Sequence, residues 1–176
     1  VAVAMDTLGI AIAEYANVAE RRVERLVNPQ LSGLPGFLTP VEGINDGFMV
    51  AQYAAAALVS ENKVLAHPAC VDSIPTSANQ EDHVSMGTIA SRKAATIISH
   101  VQMVLAIELL CAAQAADFKD SNKLGKGSKA AYDMVRSEVT FMDKDRAIYL
   151  DMNKVAAMIR SGKIVDAVEQ AVGELK

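Results

Sequence analysis

Apolar residues recur at helical spacing from the start of the chain. Val3, Leu8, Ile12, Tyr15, Val18, Val23 and Leu26 predict a helix over residues 1–26. Asn28-Pro29 ends it, because proline pushes the residue before it out of the helical region. The stretch from Ser32 to Pro40, with Glu42-Gly43, holds most of the turn formers and predicts a loop. A second helix is expected to start after Asn45 or Asp46, either of which can accept first-turn N–H groups. It should run through Phe48, Met49, Tyr53, Ala57 and Leu58 to about Leu65, where His67-Pro68 closes it.

Residues 68–83 carry Pro68, Ser73, Pro75, Thr76, Ser77 and Asn79 and no sustained periodicity. They predict a long irregular loop, and loops of that length inside a compact helical protein usually have a function. A third helix is expected from near Val84 to about Phe118, with Ile97, Val101, Val104, Leu105, Glu108, Leu109 and Ala112 on nearby turns. At about 34 residues it would span roughly 50 Å, longer than suits a domain with a radius of gyration of about 16 Å. Such a helix belongs in a larger bundle, and its all-round apolar character from Val101 to Ala116 predicts burial between several helices or subunits. The polar segment Lys119–Ser128 reads as an exposed connection. Shorter helices follow: Ala130–Val139, one capped by Asp151 or Asn153 and closed by Ser161-Gly162, and Lys163–Leu175. No strand pair or internal repeat is visible, so the fold class is all-α.

Composition supports a buried core: 51% of the 176 residues are apolar, while aromatics are 5% and Trp is absent. Seventeen basic residues face 21 acidic ones, and the clusters at 20–25 and 119–129 are broken by acids or glycines. That pattern argues against a nucleic-acid partner. Cys70 and Cys111 have no metal-type spacing, which favours free thiols in a reducing, cytoplasmic setting. Charges at Asp6, Glu14, Arg92, Lys93 and Glu108 interrupt the apolar runs, so no membrane span is expected. The chain opens inside an amphipathic pattern, with neither an initiator Met nor an N-cap, and is expected to be part of something longer.

Common catalytic spacings are missing: there is no HExxH, paired CxxC or GxSxG. Gly125-Lys126-Gly127-Ser128 echoes a phosphate loop but lacks its glycine spacing and a preceding strand. His67 at a helix end and His100 within a helix have no second ligand at metal spacing, so no metal site is expected. His83 differs, because Asn79-Gln80-Glu81-Asp82-His83 gathers amides, two carboxylates and an imidazole before a helix. Two readings stand: Glu81 or Asp82 caps the helix, or the loop is a polar site carried on rigid helices.

The order of these residues adds to their types. The stretch SIPTSANQEDHVSMG, Ser73–Gly87, closely resembles the corresponding stretch of the histidine ammonia-lyases, within the aromatic amino acid ammonia-lyase family. The likeness extends through Glu20-Arg21-Arg22, Leu31–Pro35, Gly47-Phe48-Met49, Ala56–Lys63 and Leu65–Ala69, over roughly residues 1–116. It implies long, near-parallel helices forming part of a helical bundle, with shorter C-terminal helices. Residues 1–118 would be the C-terminal part of the central bundle and 119–176 a variable helical tail.

By the same resemblance the full-length protein is a homotetramer that deaminates L-histidine non-oxidatively to urocanate and ammonia. Its electrophile, methylidene-imidazolone, forms from an Ala-Ser-Gly, and none occurs in these 176 residues. The family's GNFHG-like segment is absent too, so the chain alone is expected to be inactive. Glu81 matches the family's active-site glutamate, as a proton-transfer group or as a holder of the substrate's imidazole or ammonium. Gln80, with Asn79, would orient Glu81 or line the pocket. Phenylalanine and tyrosine lyases tend to carry glutamine at the Glu81 position, so the sequence leans to histidine. The alternatives are another methylidene-imidazolone lyase or aminomutase, or a non-catalytic helical assembly module.

Overall fold

The computed structural model describes residues 1–175. Seven α-helices follow in chain order: α1 Ala2–Val27, α2 Pro29–Ser32, α3 Met49–Leu65, α4 Gly87–Asp117, α5 Lys126–Glu138, α6 Ile148–Arg160 and α7 Lys163–Val172. Among the described residues the only β pairings are two isolated bridges, Glu42 with Asn45 and Thr76 with Glu81. The fold is all-α, as the periodicity predicts.

The chain forms two compact units, Val1–Val18 with Ala57–Val101, and Ala19–Ala56 with Gln102–Lys176. Within the first, the start of α1 packs on the start of α4 through small residues. Ala2, Ala16, Ala90, Ala94 and Ile97 are buried there, and a Cβ added at Gly9 would stand 3.1 Å from Ile97 Cδ1. Small side chains let the two backbones approach closely, which composition records only as abundant Ala.

In the second unit the rest of α1 supplies Ala19, Val23 and Val27 to a core shared with Leu38, Val104, Ile107, Leu110 and Cys111. Arg22 meets the Glu108 carboxylate with both its Nε and an Nη, in a paired contact along the α1–α4 seam. One polar side chain lies at the centre. Gln114 is fully buried; its Nε2 donates to the Leu38 and Met142 carbonyls at 3.1 and 2.9 Å, while its Oε1 accepts from Met142 N–H at 3.1 Å. Arg136 extends the network, donating to the carboxylate of Asp117 at 2.5 Å and to the Val139 carbonyl at 3.1 Å. Phe118 and Phe141 close it edge to face.

Several helix starts differ from the sequence reading. Asn28 ends α1 and also caps α2, its side chain accepting from Gln30 N–H with Pro29 in the first turn, so the predicted loop opens with one helical turn. Asn45 and Asp46 bind Asp145 instead of capping α3. Asp145 accepts from the Asp46 and Gly47 N–H groups at 2.8 and 2.9 Å, and Asn45 Oδ1 accepts from Asp145 N–H. Gly47 sits at φ 57, where an added Cβ would lie 2.4 Å from the Phe37 carbonyl, which accounts for the glycine.

The helix α5 begins at Lys126, four residues before Ala130, so Gly125–Ser128 is a helix start and not a phosphate loop. Residue α6 Asp151 lies in the first turn and pairs with Arg146 at 2.7 Å; the helix itself starts at Ile148. The expected stop at Ser161-Gly162 is present, with Gly162 at φ 79. The last residue of the expected tail, Lys176, lies outside the described residues.

Thirty-one residues make α4 about 46 Å long at 1.5 Å per residue. It has the length and mean hydropathy of a membrane span, although interrupting charges suggested otherwise, and 44% of its most apolar window is buried inside the protein. In the second unit its Val104, Ile107, Leu110 and Cys111 are core while Leu105 and Leu109 are half-buried, and Gln114 on the same helix is held by protein hydrogen bonds.

Candidate functional site

The long loop between α3 and α4 lies wholly in the first unit and is tied down at three levels. At its base the last turn of α3 closes with Ala66 N–H on the Asn62 carbonyl at 2.8 Å. The Asp6 carboxylate of α1 then captures the next strand of chain, its Oδ2 accepting from the N–H groups of Ala69 at 2.9 Å and Cys70 at 2.7 Å. From the other side Lys93 of α4 donates to the His67 carbonyl, with its Nζ 3.8 Å from Asp6 Oδ1. Burial pushes the Asp6 carboxyl up, but the Cys70 N–H and thiol, the Ala69 N–H and Lys93 outweigh it and hold the carboxyl below its ordinary value. The ionised acceptor that both N–H groups need is therefore the form present near neutral pH.

Further along, Ser73 Oγ accepts from Val84 N–H at 2.9 Å and closes the neck of the loop across eleven residues. Inside that neck Thr76 and Glu81 exchange backbone hydrogen bonds at 3.1 and 3.4 Å. The chain between them turns through Ser77, Ala78 and Asn79, all left-handed at φ 53, 54 and 66. For Ala78, with neither glycine's freedom nor a short polar side chain, that conformation costs roughly 1–2 kcal/mol. Such local strain persists only where the surroundings over-determine it. Here the Thr76–Glu81 bridge and the Ser73–Val84 bond do so, and together they fix the backbone of Gln80 and Glu81.

The side chains of Asn79, Gln80, Glu81, Asp82 and His83 are all exposed, and among the described residues they make no hydrogen bond or ion pair with one another. The capping interpretation of Glu81 and Asp82 does not hold. Met86 at φ 54 blocks continuation of the helix backwards, so α4 starts at Gly87, too far from either carboxylate. Helical periodicity alone had placed that start three residues earlier. Five consecutive polar side chains are thus presented to solvent on a constrained loop, an arrangement suited to meeting a ligand or another part of a protein.

An open cavity of about 700 Å³ lies at the exit of this loop, walled by Val1, Ser85, Met86, Thr88, Ile89 and Arg92 among others. Glu81 and Gln80 are not among its walls. The sequence pattern gave Ser85, just before α4, and Thr88 and Arg92, in its first turns, no site role, because the start of that helix was misplaced.

Remaining candidates have structural places. In the first unit His100 Nδ1 lies 2.9 Å from Asn62 Oδ1, and its Nε2 lies 3.9 Å from Glu61. Asn62 is buried, and its Nδ2 has no partner among the described residues. Cys111 is fully buried, and burial pushes its thiol far up, so it is an inert core residue. The bond to Asp6, then burial, pushes the Cys70 thiol up as well, which makes it a poor nucleophile. No group of three or more metal-capable side chains is found among the described residues.

The sequence profile of the aromatic amino acid lyase family matches residues 1–137. A histidine ammonia-lyase from Alkaliphilus metalliredigens is 62% identical over 174 residues, covering 99% of this chain and 34% of that protein. Among solved structures, the histidine ammonia-lyase of Trypanosoma cruzi superposes with a TM-score of 0.94 at 46% identity, over 98% of this chain and 34% of that one. Tyrosine aminomutase from Streptomyces globisporus superposes with a TM-score of 0.95 at 37% identity, over 99% of this chain and 34% of its own. The chain thus spans about a third of the length of the curated relatives it matches.

Proposed function

The chain belongs to the aromatic amino acid lyase family, and on that premise we propose that it is the C-terminal third of a histidine ammonia-lyase. The whole protein would convert L-histidine to urocanate and ammonia. The observation that carries this reading is the constrained, solvent-facing presentation of Glu81, together with 62% identity to a histidine ammonia-lyase along nearly the whole chain. In this reading residues 1–118 belong to the central helical bundle and 119–176 form the C-terminal tail.

The methylidene-imidazolone group implied by the family would supply an electrophile that turns the substrate's amino group into a leaving group. The residues of this chain do not build it, because its Ala-Ser-Gly precursor is absent from the 176 residues. What this chain contributes is the loop. Glu81 would either hold the imidazole or ammonium of the substrate by charge-assisted hydrogen bonds or receive the proton lost from the β-carbon. Both roles require the carboxylate within about 2.6–3.2 Å of its partner. Gln80, beside it, can present an amide as donor or acceptor.

Glu81 is open to solvent on this chain, so the walls that exclude water would come from elsewhere in the whole protein. Assembly fits that need. Exposed Val3, Leu8 and Ile10 on α1, with Val71 and Ile74 in the loop, form apolar surface in the first unit suited to subunit contact. We assign the assembly to the homotetramer expected of the family and the setting to the cytoplasm, where two free thiols are stable.

The similarity to tyrosine aminomutase favours a second reading, in which the same loop serves an amino-group migration on tyrosine. Offering the full-length protein histidine, tyrosine and phenylalanine separates the two. Urocanate from histidine, with at least a hundredfold lower kcat/KM on the other two, is the expected result; β-tyrosine as the main product would replace the lyase reading with the aminomutase one.

A further inference from the structure

We propose that Asp6 is a positioning residue for Glu81, acting from α1 through the base of the loop; the inference rests on the reading of Glu81 as a site group. Three observations lead to it. Asp6 is a carboxylate buried on α1, 63 residues in sequence from its partner Ala69. Its Oδ2 accepts two consecutive backbone N–H groups, Ala69 and Cys70, and so fixes the direction of the chain at that point and not merely its location. Lys93 reaches the same segment from α4, meeting Asp6 Oδ1 and the His67 carbonyl.

The consequence is geometric. Among the described residues the further ties of the loop between Cys70 and Glu81 are the Asp72–Ala69 and Gln80–Ser77 turns, the Ser73–Val84 bond and the Thr76–Glu81 bridge. All lie within the loop and its exit, so none orients the loop against α1. Asp6 does. Its hydrogen bonds are charge-assisted and shielded from water, the strong kind, and they transmit the position of two packed helices to a loop whose tip makes no hydrogen bond to either helix among the described residues. Releasing Ala69 and Cys70 would let the loop swing as a closed unit and carry Glu81 with it. Misplacement of a reacting group by about 1 Å can cost on the order of a hundredfold in rate.

A double-mutant cycle in the full-length protein tests this. With histidine as substrate, Asp6→Ala is expected to lower kcat/KM by about tenfold to a hundredfold. Asp6→Asn, which keeps an oxygen acceptor but not the charge opposite Lys93, should lose only about threefold. In a Glu81→Gln background the further loss from Asp6→Ala should be less than about twofold, because the group it positions is already gone. An equal loss in both backgrounds would show a general structural role and overturn the inference, as would wild-type activity in Asp6→Ala. Should Asp6→Ala not assemble, Asp6→Asn carries the same cycle, its threefold loss vanishing in the Glu81→Gln background. If Glu81→Gln alone turns over normally, the reading of Glu81 itself fails, and Asp6 has nothing to position.

Discussion

Glu81→Gln in the full-length protein is expected to lower urocanate formation by about a hundredfold to ten-thousandfold, the range for losing a positioned proton-transfer or charge-pairing group, with the oligomeric state unchanged. The substitution keeps the side chain's length and one oxygen acceptor. It removes the negative charge and the ability to accept a proton. Because the Glu81 side chain is exposed and makes no hydrogen bond or ion pair among the described residues, the change removes no buried packing. The bridge to Thr76 uses only backbone atoms and survives it. A large loss of turnover at unchanged oligomeric state, measured by steady-state kinetics and light scattering, would therefore report on chemistry and not on folding. Near-normal turnover would remove Glu81 from the mechanism.

A second large effect is expected far from that loop. Gln114→Leu preserves volume but leaves the Leu38 and Met142 carbonyls and the Met142 N–H buried without their side-chain partner. Each orphaned buried group costs about 1–3 kcal/mol, so a destabilisation of about 3–5 kcal/mol is expected, at the upper end for single substitutions. The Met142 segment is attached to α4 through Gln114, so it should also become locally labile. Hydrogen exchange at Met142 and the midpoint of urea unfolding of the full-length protein measure both. An unchanged midpoint would mean that the network is dispensable.

Regular elements were legible in the sequence and their junctions less so. The extent of α1 and the end of α3 were legible to within a residue or so, although most of the apolar positions that marked α1 are not on its buried face: Val3, Leu8, Tyr15 and Val18 are exposed, while Ala2, Ala16, Ala19, Val23 and Val27 are buried. The missed starts of α3, α4 and α6 share one cause. Asn45, Asp46, Asp82 and Asp151 all have the chemistry of a cap, yet tertiary partners or backbone conformation decide their role: Asp145 for the first two, the φ of Met86 for the third, Arg146 for the fourth. Gln114 left no trace, since a polar residue inside an apolar run reads as an exposed position until its partners, 28 and 76 residues away in sequence, are seen.

The site divides in the same way. Residues 79–83 stood out because five adjacent polar side chains are unusual, and the order of residues around them carried the resemblance to a family. Asp6 could not be singled out. It appeared only as a charge interrupting an apolar run, and its meaning depends on a contact with Ala69 and Cys70 that no local pattern encodes. Left-handed backbone at Ser77, Ala78 and Asn79 was equally hidden, because none of the three is glycine.

The most direct test of the central claim, that this loop delivers a carboxylate to the reacting substrate, is a crystal structure of the full-length protein with urocanate bound. The account predicts a Glu81 carboxylate oxygen within about 2.6–3.2 Å of a nitrogen or carbon-bound proton site on the product, directly or through one water. A product bound with Glu81 facing bulk solvent on another side of the subunit would contradict it.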